Sequence, residues 1–111
     1  MNLADVHTEI QGSALVARLT GEVDLSNARV IGRALVAAVS NQTETVVLDL
    51  SQLQYLDSAG IQLIYQLQTQ LRARRQQLRL VVPPDSPAAD ALRLAGIADQ
   101  LEVPLFWSDV Q

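Results

Sequence analysis

Between Thr45 and Leu71 the chain reads TVVLDLSQLQYLDSAGIQLIYQLQTQL, a strand, a short polar turn and a helix run together without a break. Val46, Val47, Leu48 and Leu50 form an almost continuous apolar run that only Asp49 interrupts, the pattern of an interior strand covered on both faces. After a turn at Ser51 and Gln52 the chain is apolar again at Leu53, Tyr55 and Leu56, and then presents Asp57-Ser58-Ala59-Gly60. Ile61, Ile64, Leu67 and Leu71 follow at helical spacing on one face, with Gln62, Gln66, Thr69 and Gln70 elsewhere around the cylinder. Arg72, Arg74 and Arg75 close the far end, where cations complement the helix dipole. Asp57 and Ser58 stand at the other end, where backbone N–H groups are unpaired and anions are favoured.

Ser58 carries two compatible readings. It is a candidate N-cap, since Asp and Ser oxygens accept from the orphan N–H groups of a first turn. It is also a candidate phosphorylation site, because small Ala59 and Gly60 leave its hydroxyl open, and a phosphate would add about 1.5 to 2 negative charges there.

The rest of the chain supports this unit. Val6 to Ile10 and Ala14 to Leu19 alternate apolar and polar residues around Gln11-Gly12-Ser13, as an antiparallel pair does. Gly21-Glu22-Val23-Asp24 ends the second strand, Ser26 or Asn27 can cap a helix with Ile31, Leu35, Ala38 and Val39 on its apolar face, and Asn41-Gln42-Thr43 returns the chain to the central strand. Leu78, Leu80, Val81 and Val82 form a further strand stopped by Pro83-Pro84. Ser86-Pro87 opens a last helix with Ala88, Leu92 and Ala95 inward and Gly96 at its exit, followed by Ile97, Leu101 and Val103 as a packing tail. Leu105, Phe106 and Trp107 cover apolar surface, with Trp107 a second candidate for partner contact. The order strand, strand, helix, strand, helix, strand, helix predicts an α/β domain: a mixed sheet with two antiparallel opening strands, parallel inner strands and helices packed against it.

Composition removes several function classes. Eight basic against twelve acidic residues give a net charge of −4, which argues against a nucleic-acid surface built on phosphate neutralisation and against direct membrane binding. The cluster Arg72, Arg74, Arg75 and Arg79 reads as a solvated helix end or a contact for an acidic partner. There is no cysteine, hence no thiolate chemistry or Cys-based metal site, and a reducing compartment suits the chain. The opening MNLADVHTEI carries no Arg or Lys, unlike a secretory signal, and apolar runs such as Ala34 to Val39 fall far short of the roughly 20 residues that span a bilayer. The expectation is a cytoplasmic protein that meets a membrane only through a partner. His7, the single histidine, reads as an ordinary strand residue. A serine hydrolase would need glycine two residues before Ser58, where Leu56 stands, and a partnered histidine base. No phosphate-cradling glycine loop ends in Lys-Ser or Lys-Thr. A receiver domain phosphorylated at Asp49 would need a lysine, and all eight basic residues are arginine; Asp49 is expected to hydrogen-bond locally at its strand end. No catalytic group, metal or cofactor is expected.

Val46 to Gly60, VVLDLSQLQYLDSAG, resembles the central signature of the STAS domain of bacterial anti-sigma factor antagonists, in which an apolar strand leads to Asp-Ser-Ser-Gly or Asp-Ser-Ala-Gly. Leu19-Thr20-Gly21-Glu22-Val23-Asp24 is similar to that family's Gly-Glu-Leu/Val-Asp element. The likeness runs from about Ala14 to Leu101, within one domain over residues 1–111. It implies a STAS fold, Ser58 as phosphoacceptor and Asp24 close to it, with Asp24, Asp57, Ser58, Ala59, Gly60, Gln62 and Tyr65 forming a partner-binding surface. Implied partners are an anti-sigma factor serine kinase, bound when Ser58 is unphosphorylated so that a sigma factor is freed, and a metal-dependent serine/threonine phosphatase. The alternative on the same fold is a non-switched STAS subunit of an ABC-type lipid transporter. Ala59 departs from the second serine of many antagonists and leaves one obvious acceptor.

Overall fold

The computed structural model describes residues 5–94 and the backbone of 105–106. The chain opens with β1 (Asp5–Gln11) and β2 (Ala14–Val23), an antiparallel hairpin with Gln11 opposite Ala14. Gly12, first in the two-residue loop, takes φ of 62°, and a positive φ there lets the turn follow the twist of the strands. The helix α1 (Ala28–Ala38) leads to β3 (Thr45–Asp49), parallel beside β2. A short strand β4 (Leu53–Leu56) precedes the long helix α2 (Ser58–Ala73), and β5 (Gln77–Val81) then lies parallel beside β3. The helix α3 (Pro87–Leu94) follows, and β6 (Leu105–Phe106) pairs parallel with β5. Among the described residues the sheet order is β1-β2-β3-β5-β6, with β4 paired to β2 off this path.

This is the expected mixed sheet, with two additions. Leu53 to Leu56 reads in sequence as an apolar stretch after a turn, yet it is a strand, because it lies parallel to the far half of β2. Leu105 and Phe106 add a parallel edge strand. Trp107 lies outside the described residues, as do Ala95, Gly96, Ile97, Leu101 and Val103.

The core follows the two periodicities. Leu15, Ala17 and Leu19 of β2, Val46 and Leu48 of β3, and Leu78 and Leu80 of β5 alternate onto one sheet face. They join Ile31 and Leu35 of α1 and Ile61, Ile64, Leu67 and Leu71 of α2 in one buried cluster. The other face is mixed: Val47 and Arg18 are half-buried and Arg79 is exposed, so β3 is not covered evenly on both sides as its apolar run suggested. Ser86 caps α3 as expected, its Oγ accepting from Ala89 N–H at 3.2 Å while donating to the Pro83 carbonyl at 2.7 Å. The arginine cluster divides: Arg72, Arg74 and Arg75 sit at the end of α2, and Arg79 lies on β5.

Candidate functional site

The site forms where β2 and β4 end together. Gly21, with φ of 88°, sits at a register shift in the pairing of β2 with β4, a backbone conformation that a side chain would strain. Beyond it the strands pair as Glu22 with Tyr55 and Val23 with Leu56. The Asp57 N–H then donates to the Val23 carbonyl at 3.3 Å, so the chains stay in step one residue further. Asp24 and Asp57 therefore neighbour each other at the carboxyl ends of two parallel strands, although 33 positions separate them in the chain.

Asp57, not Ser58, caps α2. Its Oδ1 accepts from Ala59 N–H at 2.9 Å and Gly60 N–H at 3.3 Å, and its carbonyl accepts from Ile61 N–H at 3.0 Å. The cap reading of Ser58 is thereby corrected: Ser58 is the first helical residue and its side chain is exposed. The cause is backbone conformation, since Asp57 is extended and an extended residue just before the helix is the one whose side chain reaches back to these N–H groups. The Asp57 carboxylate also fills the anion position that a helix start offers.

Gly60 lies beneath this surface and not on it. A Cβ there would run into the Leu56 side chain and meet Val23 Cγ1 at 3.0 Å. The glycine thus lets α2 start directly over the ends of β2 and β4. Ala59 is half-buried and packs against the core, while Ser58, Gln62 and Tyr65 line one shallow groove that continues along α2 to Gln66 and Thr69.

Asp24 is held by its own loop. Its Oδ1 accepts from the Ser26 hydroxyl and from Ser26 N–H, and its carbonyl accepts from Asn27 N–H at 3.2 Å and Ala28 N–H at 2.9 Å. Bonding from the Ser26 hydroxyl, then from its N–H, holds the Asp24 carboxyl below the ordinary carboxylate value despite the opposing effect of desolvation. Asn27 occupies the cap position of α1 without a side-chain cap bond. Its amide instead clamps the loop, Oδ1 accepting from Asp24 N–H at 3.0 Å and Nδ2 donating to the Glu22 carbonyl at 2.8 Å. Neither Ser26 nor Asn27 stands out as a site residue in sequence beyond its capping propensity; an Asp-x-Ser-Asn run after a strand is the local signal of such a loop.

Asp49 lies outside this pole. It is 1% exposed, its Oδ2 accepts from Arg18 Nε at 3.0 Å and its Oδ1 from Ser51 N–H at 2.9 Å. Burial opposes its charge, but the Ser51 hydroxyl and N–H and the Arg18 guanidinium outweigh burial and hold the carboxyl below its ordinary value. The local bond at the strand end is as expected; the arginine partner across the sheet is new. Among the described residues no group of His, Asp and Glu is arranged to hold a metal ion, and no helix is long and apolar enough to cross a membrane.

A family model described as "Mlab, STAS domain" matches residues 6–105. The chain belongs to the STAS domain family. Of solved structures, an anti-sigma factor antagonist from Mycobacterium paratuberculosis superposes with a TM-score of 0.81 at 21% identity, covering 96% of this chain and 87% of that one. The Bacillus cell fate determinant SpoIIAA in its phosphorylated form gives 0.64 at 22% identity, covering 86% of each chain. A sulfate transporter family protein from Wolinella succinogenes gives 0.69 at 14% identity, covering 89% and 80%. At these identities the likeness is one of fold. No curated protein sequence matches the chain.

Proposed function

We propose that this chain is a phosphorylation-switched anti-sigma factor antagonist, which docks on a serine-kinase anti-sigma factor through the pole around Ser58 and so frees a sigma factor. The protein itself catalyses nothing; the partner phosphorylates Ser58, a metal-dependent serine/threonine phosphatase restores it, and the exchange takes place in the cytoplasm. The observation that carries this reading is the division of labour at the start of α2: Asp57 takes the cap, and the Ser58 hydroxyl is left exposed. The fold shared with anti-sigma factor antagonists supports it.

The switch follows from charge. A phosphate on Ser58 adds about 1.5 to 2 negative charges beside Asp57 and near Asp24. The N–H groups of Ala59 and Gly60 that could have cradled it already bond to Asp57, so the new charge is not neutralised locally. Repulsion and desolvation then oppose docking by way of Ser58, Ala59, Gln62 and Tyr65. About 3 kcal/mol would weaken a partner roughly a hundredfold, within the range of like-charge juxtaposition at interfaces.

Intact-mass and phosphopeptide mapping of the protein from its native cells, beside Ser58→Ala, tests the first half of this reading: one phosphate, confined to Ser58, is expected. In the second half, Ser58→Asp binds the kinase partner more weakly than Ser58→Ala, and equal affinities would sink the switch. A second reading, a non-switched STAS subunit of an ABC-type lipid transporter, is kept because a protein of a transporter family shares this fold. Co-purification separates the two, a membrane ATPase complex without phosphate on Ser58 pointing to the transporter.

A further inference from the structure

The groove between α1 and α2 has a composition that the fold does not require. Arg29 and Arg33 stand one turn apart on its α1 wall, both exposed, and among the described residues neither has an ion-pair or hydrogen-bond partner. Neither α1 nor α2 contains an Asp or Glu, although acids outnumber bases twelve to eight in the chain. The wall is therefore a local positive patch on an acidic protein. The opposite wall is an uncharged ladder, Gln62, Gln66 and Gln70.

The floor is small and apolar. Gly32 sits in the interior of α1, where glycine is a poor helix former. A Cβ there would meet Leu63 Cδ1 at 3.6 Å, an ordinary contact, so α1–α2 packing does not demand glycine. Its bare backbone instead deepens the groove. Leu25, 84% exposed, and Val36, 38% exposed, leave apolar surface along the groove's length.

We propose that this groove is the docking site for an amphipathic helix of a partner protein bearing two carboxylates one turn apart, which pair with Arg29 and Arg33. The occupant is helical because both walls are helices whose backbone groups are bonded internally, so an extended segment would find no ladder to join, whereas a helix brings its own bonds and packs ridges into grooves. Gln62 to Gln70 span about 12 Å, a little over two helical turns, and the carboxylate spacing repeats that of the arginines. Among the described residues no helix of this chain bears two acids, so the described helices of a second copy do not supply the occupant, and the test separates a second copy from a partner. The inference rests on the reading of this chain as a binding module and holds with or without a switch at Ser58.

The test places a photo-crosslinking benzoylphenylalanine at Val36, in the groove, or at Tyr65, beside Ser58, in the full chain in its native cells, and sequences the captured peptide. The Val36 probe is expected to capture a helical segment with two acids one turn apart. That capture should fall by about tenfold or more in Arg29→Glu/Arg33→Glu and return when the two acids of the segment are changed to Arg. Circular dichroism confirms that the variants fold. Capture of a partner at Tyr65 with none at Val36 overturns the groove inference and leaves the pole reading standing. Capture at Val36 of a segment lacking the acid pair, of a second copy of this chain, or with no response to the charge reversal also overturns it. Silence at both probes removes the groove inference and the pole reading together.

Discussion

Asp49 and Asp57 stand eight positions apart, the first the last residue of β3 and the second just after β4, yet they do opposite work. Asp49 is buried and bonded to Arg18 and Ser51; it ties β3 to β2 and presents nothing to a partner. Asp57 is half-buried and bonded to the first N–H groups of α2; by taking the cap it keeps Ser58 free at the surface. An acid at a strand end is thus either a tie within the sheet or the cap of the helix that follows, and what lies beside it decides which.

The largest expected effect breaks the Asp49 side. Asp49→Ala should destabilise the protein by about 3 kcal/mol in urea denaturation, because it removes a buried carboxylate and leaves the Arg18 and Ser51 donors without their acceptor. The same group sets an acid limit. Its folded-state pKa is depressed, so its contribution is present above the unfolded-state value and is lost as pH falls through the folded one. Arg18→Met should shift the acid-unfolding midpoint to higher pH; an unchanged midpoint would mean that the Ser51 bonds alone hold the charge.

Gly60→Ala tests the packing that sets α2 over the two strands. The added methyl collides with Leu56, and a loss of about 2 kcal/mol is expected, within the usual cost of overpacking. Asp57→Ala removes the cap and should cost about 1 kcal/mol, with a readout that Asp49→Ala does not share: faster amide exchange at Ala59 and Gly60. Ser58→Ala should change stability by less than about 0.5 kcal/mol, as exposed positions away from caps and cores do. A larger loss would show that the hydroxyl supports the fold and would erase the contrast between the capping Asp57 and the exposed Ser58.

Much of this was legible in the residues. The apolar spacing of Ile61, Ile64, Leu67 and Leu71 predicts the buried face of α2, and all four are buried. Ser86 before Pro87 predicts the start of α3 and the bond that makes it. The likeness of VVLDLSQLQYLDSAG to the STAS signature fits the family match. Leu53 to Leu56 was not legible as a strand, because four residues carry too little periodicity and their pairing partner lies in a segment about 30 positions earlier. The cap was ambiguous between Asp57 and Ser58 for a related reason: both residue types cap, and the choice depends on the extended conformation that pairing to Val23 imposes on Asp57.

What the sequence determined by itself, then, is local and periodic: the helices, their inward faces, the hairpin at Gly12 and the order of the longer elements, without the short strands β4 and β6. Tertiary structure decided which distant residues face one another. Arg18 meets Asp49 because β2 and β3 pair in a register that sets them side by side, and Asp24 neighbours Asp57 because β2 and β4 end in step. Register is a property of two strands at once. Hydrophobic alternation assigns each side chain to a face, but only the pairing of the strands says which charge lies beside which.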